Sequence, residues 1–527
     1  MSMRRIHPPQ PHLVQSAPLA DMPRRGEGTT MRLLPVAAAV LAAALSGCAA
    51  VGPDFERPKV TEPAAWRTTL PVPAQATAEP AAAAPVASAD MANLAWWKAF
   101  GDPKLEALVQ LALDNNKDLK IAAGRVREYA ARLDIAKAQE LPSVSARGSS
   151  NREKMSEERQ VPLSNRTPVN SAAYELQAQV SWELDIWGRV RRTNEAYLAD
   201  LTAIDENRRA LTLTVVANVV ASYVQLLALD QDLVLLKKEL ASRQETARLT
   251  ESRQAKGGFS MLPVFQSRMV MEEAAAAIPP KEREIAATEN ALSILLGVEP
   301  SAVARARALN DLKAPPVPQG IPSQVLAQRP DVRMAEQNLI AANARIGVAK
   351  AEYFPVISLT GLFGYASTDL SKLLTAPASF GSAGTQVLAK LFDGGALDAN
   401  VRQAEAVQAL HVDAYRKAVQ NAFFEVEDAL LFYQKTRERA DVLTRQLKAA
   451  QEGARYARKR YEGGMGTVFE ALEAERQLTS AERLQVDVQR DTQLSLIQVY
   501  KAMGGGWKVA APDILDSNAA VVSSSTN

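Results

Sequence analysis

The period of apolar and polar positions changes along this chain, and it changes in the same order in both halves. Between 174 and 187 the apolar residues occupy every second position, from Leu176 through Trp182 to Ile186. That alternation is typical of a strand with one apolar and one polar face. Strands are predicted at 144–150, 174–187, 356–365 and 379–392, as two hairpins whose polar loops are 151–173 and 367–378.

Long helical segments follow each predicted hairpin. The segments 190–256 and 397–462 contain no proline, and apolar residues recur in the first at spacings of three and four. This spacing indicates a helix packed as in a coiled coil. At 1.5 Å per residue, such a helix is about 100 Å long. Returning helices are predicted at 262–296 and 467–503, and Pro279-Pro280 is expected to interrupt or kink the first of them.

The chain repeats itself. The segment from Asp118 to Ser145 recurs from Asp331 to Ser358, a shift of 331 − 118 = 213 residues, and in both copies a predicted helix (118–141 and 331–354) stops at a proline. Self-similarity over this length indicates two copies of one structural unit. We therefore predict a duplicated fold, mainly α with a membrane β portion, in which each copy contributes one β-hairpin and one long helical hairpin.

The predicted boundaries follow from this duplication. A short amphipathic helix is predicted at 105–113. The segments are a leader 1–47, an N-terminal segment 48–105, a first repeat 106–297, a Pro-rich join 298–322, a second repeat 323–503 and a tail 504–527.

The leader has the features of a secretory signal. Basic Arg32 is followed by an apolar run of about a dozen residues, too short to span a bilayer, and then by small residues before Cys48. The sequence Leu45-Ser46-Gly47-Cys48 resembles a bacterial lipobox, whose cysteine becomes the lipidated first residue, and Ala49 is then compatible with export to the outer membrane. Met31 is a candidate start. A buried cysteine beside a short apolar helix is the alternative.

Composition and charge exclude several classes of function. The chain has 61 basic and 59 acidic residues, a net charge of +2, which gives no reason to propose a nucleic-acid partner. Its 3 histidines and 1 cysteine allow no disulfide within one chain, no Cys-rich zinc site and no Cys/His nucleophile pair. We predict neither enzyme activity nor a metal or cofactor, apart from covalent lipid on Cys48; carboxylate-only chemistry stays open.

Four strands cannot close a membrane barrel. An open sheet edge in lipid leaves backbone groups unpaired at several kcal/mol each, and known barrels need about eight strands or more. If these strands lie in a membrane, several chains must share one barrel. Four surface strands on a soluble helical protein are the alternative.

Several motifs together resemble one family, the TolC-like outer-membrane factors, and within it the lipoprotein (NodT-type) branch. They are CAAVGPDFERP, SWELDIWGRVRR, RPDVRMAEQNLIAANARIGVAKAEYFP, LFDGG, EVEDAL and YEGGMGTVFEALEAER. The resemblance implies a homotrimer with a shared twelve-stranded barrel and a periplasmic α-helical tunnel. It also implies an equatorial belt built from 49–105, 298–322 and the tail, and partners in a periplasmic adaptor and an inner-membrane RND-type pump.

The resemblance also suggests site residues. The turns Gly257-Gly258 and Gly463-Gly464 become adaptor-docking tips, although glycine also suits the end of any helix. Glu470 and Glu473, three residues apart on one helix face, become carboxylates of a closed aperture; a solvated helix face is the alternative. The relatives' basic residue after the glycine turn corresponds to Gly466 here, and their polar pair to Pro263 and Val264, so those links cannot hold an aperture closed.

Four aromatic residues are candidates for the belts that mark barrel interfaces, or else pack where sheet meets helices: Trp182, Trp187, Phe363 and Tyr365.

The leading prediction is an outer-membrane channel of a tripartite efflux system, a passive exit duct for drugs or other small solutes. An exit duct for type I protein secretion and a lipid-anchored coiled-coil scaffold without a pore are the alternatives.

Overall fold

A computed structural model describes residues 50–61, 63, 65–68, 95–156, 158, 169–257, 260–317 and 328–506. These residues belong to one structural unit that begins at Ala50. The predicted leader, Cys48, the tip residue Gly258 and the tail beyond 506 lie outside the described residues.

Each half of the chain contains a helix that leads into a β-hairpin, followed by a very long helix and a returning helical segment. The helices are α1 (Pro103–Asn115), α2 (Lys117–Lys137), α3 (Arg189–Ala255), α4 (Leu262–Ala276), α5 (Ile278–Leu296), α6 (Pro330–Ala351), α7 (Ala396–Glu462) and α8 (Val468–Ala502). The strands are β1 (Ser143–Lys154), β2 (Asn170–Leu184), β3 (Val356–Ser367) and β4 (Ser379–Leu388). The predicted order of elements in the two copies is confirmed.

The two long helices are the largest elements. α3 and α7 each contain 67 residues, so each is about 100 Å long. α3 includes an 18-residue window with a mean hydropathy of 1.7, and 61% of that window is buried. Its apolar side chains are therefore largely used in packing against the neighbouring helices, as the spacing of three and four predicted.

Proline ends or breaks the shorter helices. α2 ends at Lys137 and α6 at Ala351, earlier than the predicted 141 and 354. A tight 3-10 turn at Ala138–Glu140 and an extended Leu141 lie before Pro142, because the residue before a proline disfavours the helical conformation. The predicted interruption at Pro279-Pro280 is confirmed: α4 ends at Ala276, and α5 carries a proline in its first turn.

The four strands form one antiparallel sheet in the order β1-β2-β3-β4. β1 is longer than the predicted 144–150, because its polar end pairs with β2 through the backbone as far as Lys154 opposite Asn170. β2 ends at Leu184 and not at 187. The Asp185 carboxylate instead accepts hydrogen bonds from the Val190 and Arg191 amides (2.9 Å each), two of the amides that lack an intrahelical partner in the first turn of α3. β4 ends at Leu388, four residues before the predicted 392.

The main hydrophobic core of the described residues lies where the middle of α3 meets the end of α8. Trp96, in a short 3-10 helix, stacks on Tyr500 with ring centroids 5.3 Å apart. The Tyr223 hydroxyl of α3 donates to Asp102 Oδ2 at 2.8 Å, and Val303 and Leu309 pack into the same cluster. The segments that precede and follow the first repeat in the sequence therefore pack together against the middle of α3 and the end of α8.

Candidate functional site

The sheet has one exposed apolar face and one polar face. In the register, Val180 lies opposite Gly361, Ala178 opposite Phe363 and Leu176 opposite Tyr365, so these side chains share one face. Phe363 is 57% exposed, and Leu176 and Val180 are exposed as well. A contiguous exposed apolar face of this kind marks a membrane or protein interface. Gln177 and Gln179 lie on the other face, as the alternation predicted.

Both outer strands have a free edge. Within the part of the chain that the structure describes, β1 pairs only with β2 and β4 pairs only with β3. Each therefore presents a row of unpaired amide and carbonyl groups. Such edges cannot face lipid, where no water is available to pair with them.

The four predicted aromatic residues occupy two different positions. Trp187 stacks on Phe354 at 4.6 Å, and its Nε1 donates to the Pro355 carbonyl at 2.8 Å. Trp182 Nε1 donates to the Glu140 carbonyl at 2.9 Å. Both tryptophans therefore contact the turns that lead from α2 and α6 into the sheet.

Phe363 and Tyr365 form an edge-to-face pair at 5.6 Å on the apolar face of β3. In the register, Phe363 lies opposite Ala178 and Tyr365 opposite Leu176, so both rings lie on the sheet itself.

The N-terminal segment after Cys48 lies against this same rim of the sheet. The Val51 amide donates to the Trp187 carbonyl at 3.0 Å, and Arg192 Nη2 donates to Asp54 at 2.8 Å. Asn343 of α6 donates to the Pro53 carbonyl at 3.0 Å. The sequence analysis did not predict these contacts between the N-terminal segment and the rim of the sheet. Arg192 is in a basic run (GRVRR) that is typical of a solvated helix start, yet its side chain is buried.

At the far end of the long helices, the backbone conformation requires glycine at some of the predicted turn positions and not at others. Gly257 and Gly464 have positive φ values of +78° and +74°, which favour glycine over other residues. A Cβ atom at either position would meet no other atom within 4 Å. Gly463 has an ordinary negative φ of −78°. The backbone turn therefore explains one glycine in each described tip, and the space around both is open.

The predicted aperture carboxylates lie in the first turns of α8. Thr467 caps this helix through a hydrogen bond from the Glu470 amide to Thr467 Oγ1 at 3.2 Å. The Glu473 carboxylate accepts hydrogen bonds from Arg476 (2.9 and 2.8 Å) and from Gln477 (3.0 Å). Those bonds, with Arg476 first, lower the pKa of Glu473 to about 2. Glu473 is thus ionised at any physiological pH, but its charge is offset within its own helix.

Metal ligation finds no support in the described residues, which contain no group of three or more His, Cys, Asp or Glu side chains suited to an ion.

Together, the two-faced open sheet, the helices of about 100 Å and the glycine turns at their far ends define a subunit of an outer-membrane channel with a periplasmic helical tunnel. The model of the outer membrane efflux protein family matches residues 108–298 and 321–505. The chain belongs to the outer membrane efflux protein family.

Individual relatives agree with this assignment. The chain is 32% identical over 482 residues to the cation efflux system protein CusC of Escherichia coli O6:H1, covering 90% of this chain and 99% of that protein. It is 34% identical to the probable efflux pump outer membrane protein TtgC of Pseudomonas putida, covering 89% and 95%. The open-state crystal structure of the Neisseria gonorrhoeae MtrE outer membrane channel superposes with a TM-score of 0.77 at 29% identity, covering 87% and 99%.

These comparisons confirm the predicted family, fold class, location and main function. The protein is an outer-membrane efflux channel with a periplasmic tunnel and the outer-membrane component of a tripartite efflux system.

Proposed function

We propose that three copies of this chain close one twelve-stranded barrel and continue as a single helical tunnel, a passive exit duct for drugs or other small solutes. The observation that carries the proposal is the pair of open edges on β1 and β4. A four-stranded sheet with an apolar outer face is stable in lipid only if both edges find partners, and a neighbouring copy offers the complementary edge. Three sheets of four strands give a twelve-stranded wall.

The partners of the duct are a periplasmic adaptor and an inner-membrane RND-type pump. The tips at Gly257, Gly258, Gly463 and Gly464 are the proposed adaptor-docking points. The open space around Gly257 and Gly464 supports this role, because a docking helix could approach the backbone closely there. The chain itself catalyses no reaction in this proposal; the pump supplies the energy and the duct supplies the path.

A lipid on Cys48 is the proposed second attachment to the membrane. Its support is the position of the chain that follows: Val51 is hydrogen-bonded to Trp187 at the sheet rim, next to the strands proposed to enter lipid. One acyl anchor gives only limited membrane affinity, about 0.8 kcal/mol per buried methylene. The barrel accounts for the remainder.

Glu470 and Glu473 are the proposed aperture residues. In a trimer they would supply six carboxylates around one axis near the tunnel end, an arrangement that favours cations and resists anions. The solvated-face alternative predicts no effect on conduction.

Reconstitution tests the duct. Detergent-extracted protein is expected to have the mass of a trimer, to appear as threefold particles in the electron microscope, and to give discrete single-channel conductance in planar bilayers. A monomeric mass without channel activity would refute the shared barrel. A trimer that inserts but never conducts would favour the scaffold alternative.

A further inference from the structure

Arg243 connects the first long helix to the helix that carries the proposed aperture residues. It lies in α3 near the tip, and its side chain is 2% exposed. Its Nη1 donates to the backbone carbonyl of Leu472 in α8 at 3.3 Å and approaches Glu475 Oε2 at 3.5 Å. Its Nη2 donates to Glu239 of its own helix at 3.4 Å. Both of these hydrogen bonds from Arg243 to α8 run through Nη1.

The position of these contacts on α8 is specific. Leu472 lies between Glu470 and Glu473, so Arg243 binds the backbone of the segment that carries both carboxylates. Glu475 adds a second attachment, because the Ser242 hydroxyl donates to Glu475 Oε2 at 3.3 Å. On the other side, Arg458 of α7 lies 3.9 Å from Glu475 Oε1. Three helices thus converge at Glu475.

Open space flanks Arg243 on two sides. A cavity of about 380 Å³ lies on the α7 side of Arg243, and a second of about 380 Å³ lies on the α4 side. Arg243 and Glu239 line both. The buried apolar side chains at this level include Ala247 of α3 and Ala471 of α8, so the polar contacts of Arg243 act together with small-side-chain packing in setting the separation of the two helices.

Other ion pairs between α3 and α8 lie further from the tip. Lys238 pairs with Glu482 at 2.8 Å, but its side chain is 64% exposed. A link through an exposed lysine ammonium contributes little, although its partner Glu482 is only 17% exposed, whereas removal of a buried, hydrogen-bonded arginine leaves an uncompensated charge. Arg243 and Lys238 therefore form a natural comparison of a buried and an exposed link between the same two helices.

We propose that Arg243 is a positioning residue that holds the first turns of α8 against α3 and thereby sets the bore of the aperture. The inference rests on the aperture role proposed above for Glu470 and Glu473. Loss of Arg243 frees the Leu472 carbonyl and leaves Glu475 with its contacts to Ser242 and Arg458, so that the segment carrying the carboxylates is held less tightly against α3 and the bore widens.

Single-channel conductance of the reconstituted full-length trimer tests this. Arg243→Met is expected to raise conductance toward that of the double variant Glu470→Ala/Glu473→Ala, and the triple variant should show no further rise. Glu475→Gln, which keeps the side-chain size, should shift conductance in the same direction and serves if Arg243→Met fails to assemble. Arg243→Lys should fall between wild type and Arg243→Met. The control Lys238→Met should conduct as wild type does.

The outcomes separate this inference from the proposal on which it rests. A purely structural Arg243 would lower the melting temperature without changing conductance. Wild-type conductance in both Arg243→Met and Glu475→Gln, beside a raised conductance in Glu470→Ala/Glu473→Ala, would overturn the positioning role and leave the aperture intact. Unchanged conductance in Glu470→Ala/Glu473→Ala would instead refute the aperture itself. A rise in Lys238→Met equal to that in Arg243→Met would also count against a specific role for Arg243.

Discussion

Gly52 and Gly347 lie in direct backbone contact: a Cβ atom added to Gly52 would be only 2.4 Å from Gly347 Cα. Gly52 has a φ of +110°, and a Cβ on Gly347 would be 2.7 Å from the Val51 carbonyl oxygen. Neither position therefore tolerates a side chain without displacement of the backbone. This contact seats the N-terminal segment on α6 beside the sheet rim.

Gly347→Ala is expected to release that segment. Alanine favours the helix by about 1 kcal/mol over glycine, but here its Cβ collides with Val51 and with Arg192. We expect a lower melting temperature and faster tryptic cleavage after Lys59 in the detergent-solubilised protein.

The matched control for that change is Gly453→Ala in α7. A Cβ there would meet no atom within 4 Å, so the helix gain of about 1 kcal/mol should appear as a small stabilisation. Equal effects of the two substitutions would contradict the proposed seat.

Tyr223→Phe tests the buried contact between α3 and the N-cap of α1. The change leaves Asp102 Oδ2 buried without the hydroxyl donor, which costs about 1–3 kcal/mol. Burial, followed by the hydrogen bond to Asp102, raises the pKa of Tyr223 above its ordinary value. Because the folded-state pKa is raised, the contribution is complete below the unfolded-state pKa of about 10 and is lost as pH rises above it.

Thermal melting from about pH 8 to about pH 11, a range that spans the ordinary tyrosine pKa of about 10, would measure this effect. Wild type should lose stability more steeply than Tyr223→Phe at the alkaline end. Parallel curves would show that Tyr223 does not contribute to the pH dependence.

Arg476→Gln is expected to increase the preference of the channel for cations. Arg476 pairs with Glu473 at 2.8 Å and offsets its charge, so its removal leaves a bare carboxylate in the proposed aperture. The reversal potential in a KCl gradient should shift further toward that of an ideal potassium-selective pore. The shift should disappear in the background of Glu470→Ala/Glu473→Ala; a shift that persists there would mean that Arg476 acts elsewhere.

Trp187→Ala and Phe363→Arg separate packing from membrane contact. Trp187→Ala removes the stack on Phe354 and the bond to Pro355, and because Trp187 is half-buried the loss should lie near the lower end of about 3–5 kcal/mol. It should therefore lower the melting temperature in detergent.

Phe363→Arg should affect insertion instead, since an arginine on a lipid-facing strand costs about 2–4 kcal/mol at the bilayer midplane. The control Gln179→Arg places the same side chain on the polar face of the sheet. We expect the amount of protein in the outer-membrane fraction to fall for Phe363→Arg only. Equal loss for both would contradict the assignment of the two faces.

Much of the fold could be predicted because it depends on local patterns. The alternation from Leu176 to Leu184 defines a strand, the proline-free segments define α3 and α7 to within one residue at each end, and Pro279-Pro280 defines the break in the returning helix. The same local rules were insufficient at element ends. Asp185 continues the alternating pattern, but its carboxylate binds amide groups in the first turn of α3. The strand therefore ends before Asp185 and Trp187.

The sequence by itself determined the duplication, the four strands and the long helical hairpins, since periodicity and backbone sterics act between residues only a few positions apart. Only the tertiary structure decided which side chains meet across the repeats. Arg243 and Leu472 are separated by 229 residues, and Gly52 contacts Gly347 across the whole first repeat. No local pattern encodes such contacts, because they depend on the register in which long helices pack.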